Sequence, residues 1–293
     1  MKWKLLYAFA LAVLLAPAAG AQQLEGYFDV MTVKVRPEKR ADFDVIIKKM
    51  ADANRHHQGD RWIASEISYG EGNTVYFTSP RATLGDVDKG MEMFMSAMGK
   101  AYGQPGLTKL FQDFNNCVVS SRSEIRRRRP DLSFNMPADM DTMERMVAES
   151  RYVRTTMARV LPGRVADYEA QLKVIKEAME KADTKNVTAV SQSIAGTEGT
   201  VFYITTFRAR IGGFDGGPSL GQVLGPDAFQ KYRKALADTV AATETTISHF
   251  LPEMSNPPES FLAASPDYWK PKPTALAKTK PAASSQEKSR TKK

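Results

Sequence analysis

A strand that stops at a proline and runs straight into a helix occurs twice in this chain. Val35-Arg36-Pro37-Glu38-Lys39-Arg40-Ala41-Asp42-Phe43 returns as Val160-Leu161-Pro162-Gly163-Arg164-Val165-Ala166-Asp167-Tyr168, with the two prolines 125 residues apart. Further on, Gly103 and Gly225, Lys109 and Lys231, Ile125 and Ile247, Pro130 and Pro252, and Ser133 and Ser255 all keep one offset of 122 residues. A fixed register across a whole helix and strand points to an internal duplication. The length of 293 residues suits two such units.

Each unit carries the same order of patterns. In the first, the extended run from Tyr27 to Val35 precedes a helix with Phe43, Ile46, Ile47 and Met50 at helical spacing. Arg61 to Tyr69 and Thr74 to Thr78 read as two strands around the turn Gly70-Glu71-Gly72-Asn73. A helix follows from Gly103 through Leu107, Leu110, Phe111 and Phe114, and Ser123 to Arg129 forms the last strand. In the second unit the corresponding strands are Tyr152 to Val160, Val187 to Ile194, Thr200 to Phe207 and Thr245 to Leu251. Its helices start at Pro162 and at Gly225-Pro226. The order is β-α-β-β-α-β, an α+β ferredoxin-like unit whose antiparallel sheet is covered by helices on one face only. The bare face needs a partner, and the other copy is the obvious one. The sequence thus predicts two ferredoxin-like units, residues 22–133 and 151–262, whose sheets face each other as a barrel. Residues 134–150 are expected to be a linker, and the chain a pseudo-dimer that is itself monomeric.

The two ends have their own composition. Residues 1–21 carry Lys2 and Lys4, an apolar run from Leu5 to Leu15, and Ala19-Gly20-Ala21, the pattern of a cleaved secretory signal. The expected location is therefore periplasmic or secreted, with no membrane-spanning segment. Residues 263–293 are rich in Pro, Lys, Ala and Ser and are expected to be a disordered basic tail, whose removal would leave stability unchanged. Six of the eight net positive charges lie in residues 265–293, and Lys2 and Lys4 supply the other two. The body is neutral, which argues against nucleic acid as a partner and leaves contact between tail and anionic cell envelope. Cys117 is the only cysteine, so no internal disulfide forms, and its position in a helix reads as a buried thiol.

The strand ending in V-x-P-x-K/R-x-A-D-F/Y resembles the first strand and helix of the dimeric α/β-barrel superfamily, which includes antibiotic-biosynthesis-monooxygenase-like, EthD-like and NIPSNAP-like domains. The resemblance covers both units. It implies a fold in which one chain stands for the whole dimer. It also implies a range of chemistries, from cofactor-free oxygenases to haem-handling enzymes.

The leading expectation is a non-catalytic barrel that binds a small, partly apolar ligand between its sheets, without a cofactor. Candidate ligand-binding residues are Tyr27, Asp29, Trp62, Arg127, Tyr152, Arg154 and His249, with Met91, Met93, Met95 and Met98 as an adaptable lid. Copper held by those thioethers is a less favoured alternative. Asp29 and Arg154 are equivalent positions of opposite charge, suited to an ion pair across the barrel. Arg126 to Arg129 should alternate faces, one pair forming an anion clamp opposite His249 or, in the plainer reading, blocking a solvated edge strand. His56 and His57 lie adjacent at a helix end, so they read as solvated and only weakly as haem or metal ligands. The alternatives are a cofactor-independent oxygenase or haem-handling enzyme using His56, His57, Trp62, Arg127 or His249, and a structural, envelope-interacting protein.

Overall fold

The computed structural model describes residues 24–270. The expected signal segment, residues 1–21, and residues 271–293 of the expected tail lie outside the described residues. The strands are β1 (Tyr27–Val35), β2 (Ile63–Tyr69), β3 (Thr74–Arg81), β4 (Val118–Arg128), β5 (Tyr152–Val160), β6 (Thr188–Ala195), β7 (Thr200–Arg208) and β8 (Val240–Phe250). They close into one antiparallel barrel in the order β1-β3-β2-β8-β5-β7-β6-β4. Among the described residues no helix is long and apolar enough to cross a membrane.

The halves are built alike. β1 lies between β3 and β4, with Val30 opposite Thr78 on one side and Glu124 on the other. β5 lies between β7 and β8, with Thr155 opposite Thr205 and Thr246. The two four-stranded sheets then join edge to edge. β2 pairs β8, setting Glu66 against His249, and β4 pairs β6, setting Arg128 against Ser191. Gly196 sits at the second seam with φ +86°, and a Cβ there would stand 2.0 Å from the Ser123 carbonyl oxygen. β4 is consequently not an edge strand, which overturns the reading of Arg126 to Arg129 as charges blocking a solvated edge.

The helices lie outside the barrel. α1 (Arg40–His56) and α2 (Gly85–Cys117) cover the first sheet, where Phe43, Ile46, Ile47 and Met50 pack with Val33, Val35 and Val75. α4 (Val165–Lys181) and α6 (Pro226–Thr239) do the same for the second, Tyr168 and Leu172 of α4 and Leu236 of α6 packing with Val160 and Phe202 of the strands. Each of these large buried side chains stabilises the wall by about 1.5–3 kcal/mol. The short helix α5 (Leu220–Leu224) leads into α6. Gly103, at φ 62° and ψ 174°, breaks α2 at the position where Gly225, at φ 76° and ψ 166°, starts α6. That backbone conformation favours glycine, which is why the two residues keep one register.

Three expectations need correction. The helix read as beginning at Gly103 starts earlier: residues 85–102, the Met-rich stretch among them, wind before the Gly103 break, as their Met, Ala, Lys and Glu content favours. Residues 134–150 are more than a linker, since α3 (Met140–Glu149) is capped by the Asp139 carboxylate, which accepts from the Thr142 N–H at 2.7 Å. Residues 263–270 are folded. α7 (Glu259–Ala264) and α8 (Pro266–Trp269) lead to Trp269, which is 1% exposed, donates from Nε1 to the Ala148 carbonyl at 2.8 Å and packs against Phe250, Phe261 and Tyr268. Charge and proline content had placed this segment with the tail, but its aromatic residues bury enough surface to order it.

Trp269 ties the C-terminal segment to α3 and to the end of β8. Trp269→Ala is expected to lower stability by about 3–5 kcal/mol, read from denaturant unfolding of the full chain. Deleting residues 263–293 should cost at least as much.

Candidate functional site

Alternation along each strand decides what the barrel encloses. In β1 the inward residues are Phe28, Val30, Thr32 and Lys34, and the outward Met31, Val33 and Val35 meet the helices. Inward residues of all eight strands surround a cavity of about 710 Å³, within the range typical of small-molecule sites.

The cavity has three zones. Its closed end is mostly apolar, with Arg128, Arg129 and Glu144 as its charged members: Phe28, Val153, Phe207 and Phe250 from the strands meet Met136 before α3, Met140, Met143 and Val147 of α3, and Phe261 of α7. Its waist is lined by hydroxyls, among them Ser65, Thr78, Thr155, Thr205, Thr246 and Ser248. At the other end Lys34, Glu71, Arg122, Arg159 and Glu244 form a charged mouth, with Lys34 Nζ 2.7 Å from a Glu71 carboxylate oxygen.

A polar group spans the wall between waist and mouth. Glu124 is 1% exposed. It accepts from Arg126 Nε at 2.9 Å and from the Tyr203 hydroxyl at 2.8 Å, and Arg122 Nη2 lies 3.2 Å away. The Arg126 guanidinium stacks 3.6 Å above the Tyr203 ring. Burial pushes the Tyr203 phenol well above its usual range, and Tyr76, its equivalent on β3, is raised for the same reason. Both therefore enter the cavity as neutral hydroxyls. The equivalent positions on β8 carry Glu244, Thr246 and Ser248 where β4 has Arg122, Glu124 and Arg126, so the interior charge is concentrated on one wall.

The residues singled out from sequence lie elsewhere. Tyr27, Asp29, Arg127, Arg154, Tyr152 and His249 all occupy outward strand positions. Asp29 pairs with Arg81 at 3.4 Å, while Arg154 lies over the Phe214 ring at 5.0 Å, so no ion pair crosses the barrel between them. Both positions point outward, away from each other. Arg127 is exposed and reaches Gln192 at 3.3 Å. His249 Nδ1 is 2.8 Å from the Ser68 hydroxyl. Tyr152 and His249 share only a shallow external groove with Arg151, Arg210 and Tyr268. Trp62 is buried in the helix-covered layer, donating to the Met254 carbonyl at 2.7 Å. Met91, Met93 and Met95 are exposed on α2 and Met98 is buried beneath it, so none of the four covers the cavity. Its cap is made instead by Met136, Met140 and Met143. Of the arginine run, Arg126 and Arg128 face inward, but His249 is not opposite them.

His56 and His57 lie toward solvent at the end of α1, and Cys117 is buried at the C-terminal end of α2 with its thiol pKa raised by burial. Among the described residues no histidine or cysteine lines the cavity, and no group of three or more His, Cys, Asp or Glu stands ready for a metal. A haem ligated by histidine or cysteine does not fit this interior. Of the α2 methionines, Met98 is buried while the other three are exposed, so the four do not face one site.

No protein-family model matches the sequence, and no curated protein matches it. Three solved structures resemble the chain at TM-scores below 0.5. An anthrone oxidase-like protein has a TM-score of 0.47 at 11% identity, over 79% of this chain and 93% of that one. A heme-binding protein from Thermus thermophilus has a TM-score of 0.43 at 12% identity, over 82% and 96%. A chlorite dismutase from Candidatus Nitrospira defluvii has a TM-score of 0.44 at 10% identity, over 84% and 98%. The fold is α+β, a closed eight-stranded antiparallel barrel with helices outside.

The Glu124 group can be probed directly. Glu124→Gln leaves the Arg126 guanidinium without its carboxylate and is expected to destabilise the protein by about 2–3 kcal/mol, at the low end for a broken buried pair because Arg126 faces the cavity. Equilibrium unfolding in urea measures it.

Proposed function

We propose that this protein is an exported binding protein that holds one small amphipathic molecule inside its barrel, formed by a tandem pair of ferredoxin-like units within one monomeric chain. The observation that carries this reading is the interior cavity, apolar and capped at one end, hydroxyl-lined at its waist and charged at its mouth. Such a gradient suits a ligand with an apolar body and polar substituents. The methionines of the cap offer a surface that can adapt to more than one shape.

Catalysis by a haem held through histidine or cysteine has no support from the residues facing the cavity. For a cofactor-independent oxygenase, the polar group in the wall is Glu124, Arg126 and Tyr203, with Tyr76 beside the same interior. Glu124, however, is engaged by Arg126, Arg122 and Tyr203. That arrangement favours a positioned, structural carboxylate over a free base.

Two experiments test the proposal. The apolar fluorophore 1-N-phenylnaphthylamine should brighten on binding, and Thr155→Phe, which adds a ring to the waist, should weaken it about ten-fold through lost space. Undiminished binding by that variant would place the probe outside the barrel and sink the reading. For export, residues 1–25 fused to alkaline phosphatase lacking its own signal should give an active, processed enzyme in a bacterial host. An inactive fusion retained in the cytoplasm would rule out that part.

A further inference from the structure

Among the described residues, the guanidinium of Arg128 is an interior charge that the protein leaves unanswered. Its neighbours show the ordinary solution. Arg126 meets Glu124, Arg129 meets Asp131 at 2.7 Å and Glu169, and Arg81, just across β1, meets Asp60 through two bonds of 2.6 Å. Arg128 meets no carboxylate among the described residues. Its Nε is buried without a hydrogen-bond partner. Nη1 has only the Met140 thioether at 3.5 Å, a weak acceptor, and Nη2 only the Arg81 carbonyl at 3.3 Å. The Phe28 ring lies 5.0 Å from the guanidinium carbon. Burial lowers the arginine's pKa, and Glu144, which lines the same end of the cavity, raises it too little to compensate. Glu144 itself is engaged by the Ser260 hydroxyl.

A charge held in apolar surroundings without an anion is costly, and an incoming anion would relieve that cost. Position decides what kind of anion. Arg128 lies at the capped, apolar end of the cavity, far from the charged mouth and beneath Met140. An inorganic ion would leave the rest of the cavity unfilled, whereas a carboxylate carrying an apolar chain would fill it. Guanidinium also matches the planar carboxylate through two parallel hydrogen bonds.

We propose that Arg128 is the anchor for the carboxylate of an apolar monocarboxylic acid, bound head-inward beneath α3 with its chain running toward the waist. This rests on the interior-binding reading above and names its ligand class. The acid enters as its anion, and no bond is made or broken.

The test uses the full chain and displacement of bound 1-N-phenylnaphthylamine by decanoate and by decanol. Wild type should prefer decanoate about ten-fold or more, the size of a charged hydrogen-bonded pair. Arg128→Met should bring the two affinities together, and Arg128→Lys should restore part of the preference. A preference that survives Arg128→Met, or that disappears only in Arg122→Met, puts the head group at the mouth and overturns the proposal. If the fluorophore binds but neither decanoate nor decanol displaces it, the acid class is wrong while the cavity reading stands. If the fluorophore does not bind at all, both fall. Thermal unfolding of ligand-free protein supplies an independent readout: Arg128→Met should melt at or above wild type, because it removes an unanswered buried charge. A clear fall in melting temperature would mean that the guanidinium already has its partner within the chain, and would also overturn the proposal.

Discussion

Everything inside this molecule depends on two edge ladders, β2 with β8 and β4 with β6. A four-stranded antiparallel sheet has two open edges, each a row of unpaired amides and carbonyls that invites another chain. Here the four edges of the two sheets satisfy each other. Closure by eight strands sets an interior just large enough to hold a ligand. It also dictates which face is which. The most apolar side of each sheet goes outward under helices, and the mixed side, rich in hydroxyls, goes inward.

Closing the wall does not close the ends, and the chain treats them differently. At one end the segment joining the halves and the segment after β8 meet in a small apolar cluster built on Val153, Phe250, Phe261, Ala148 and Trp269. At the other, strands run out into hairpin turns, leaving Lys34, Arg122, Arg159 and Glu244 around an opening. The structural role of the buried ions follows the same division. Arg81 with Asp60 and Asp29, and Arg129 with Asp131 and Glu169, fasten strand ends. Glu124 with Arg126 and Tyr203 stiffens the wall of the cavity.

The element order and the pairing of two like sheets were legible in the sequence, because they rest on features that recur at constant spacing: Pro37 and Pro162, Gly103 and Gly225, Ile125 and Ile247. The segments without a counterpart were not. Met140 to Glu149 and Pro266 to Trp269 have no equivalent in the other half to reveal them, yet they make the cap. The strand candidates missed the interior by one step of parity. Tyr27, Asp29, Arg154 and His249 stand next to the inward Phe28, Val153, Thr155 and Ser248, and a shift of one residue along a strand exchanges the two faces of a sheet. The signal that would have corrected it is the identity of the outward set. Val33, Val35 and Val75 are the residues a helix needs beneath it, and in a helix-wrapped barrel such residues mark the outside. Arg127 was chosen for its charge, while the inward charges one place either side, Arg126 and Arg128, occupy the opposite parity.

The mismatch between Arg122, Glu124 and Arg126 on β4 and Glu244, Thr246 and Ser248 on β8 has a consequence for what such a barrel can evolve to hold. When two identical subunits form the wall, every side chain inside faces its own copy across the axis, and a single acid or base can never be installed without its duplicate. A continuous chain is released from that rule. It can set one cation against a ring of hydroxyls, give a bound molecule a front and a back, and refine either wall without disturbing the other.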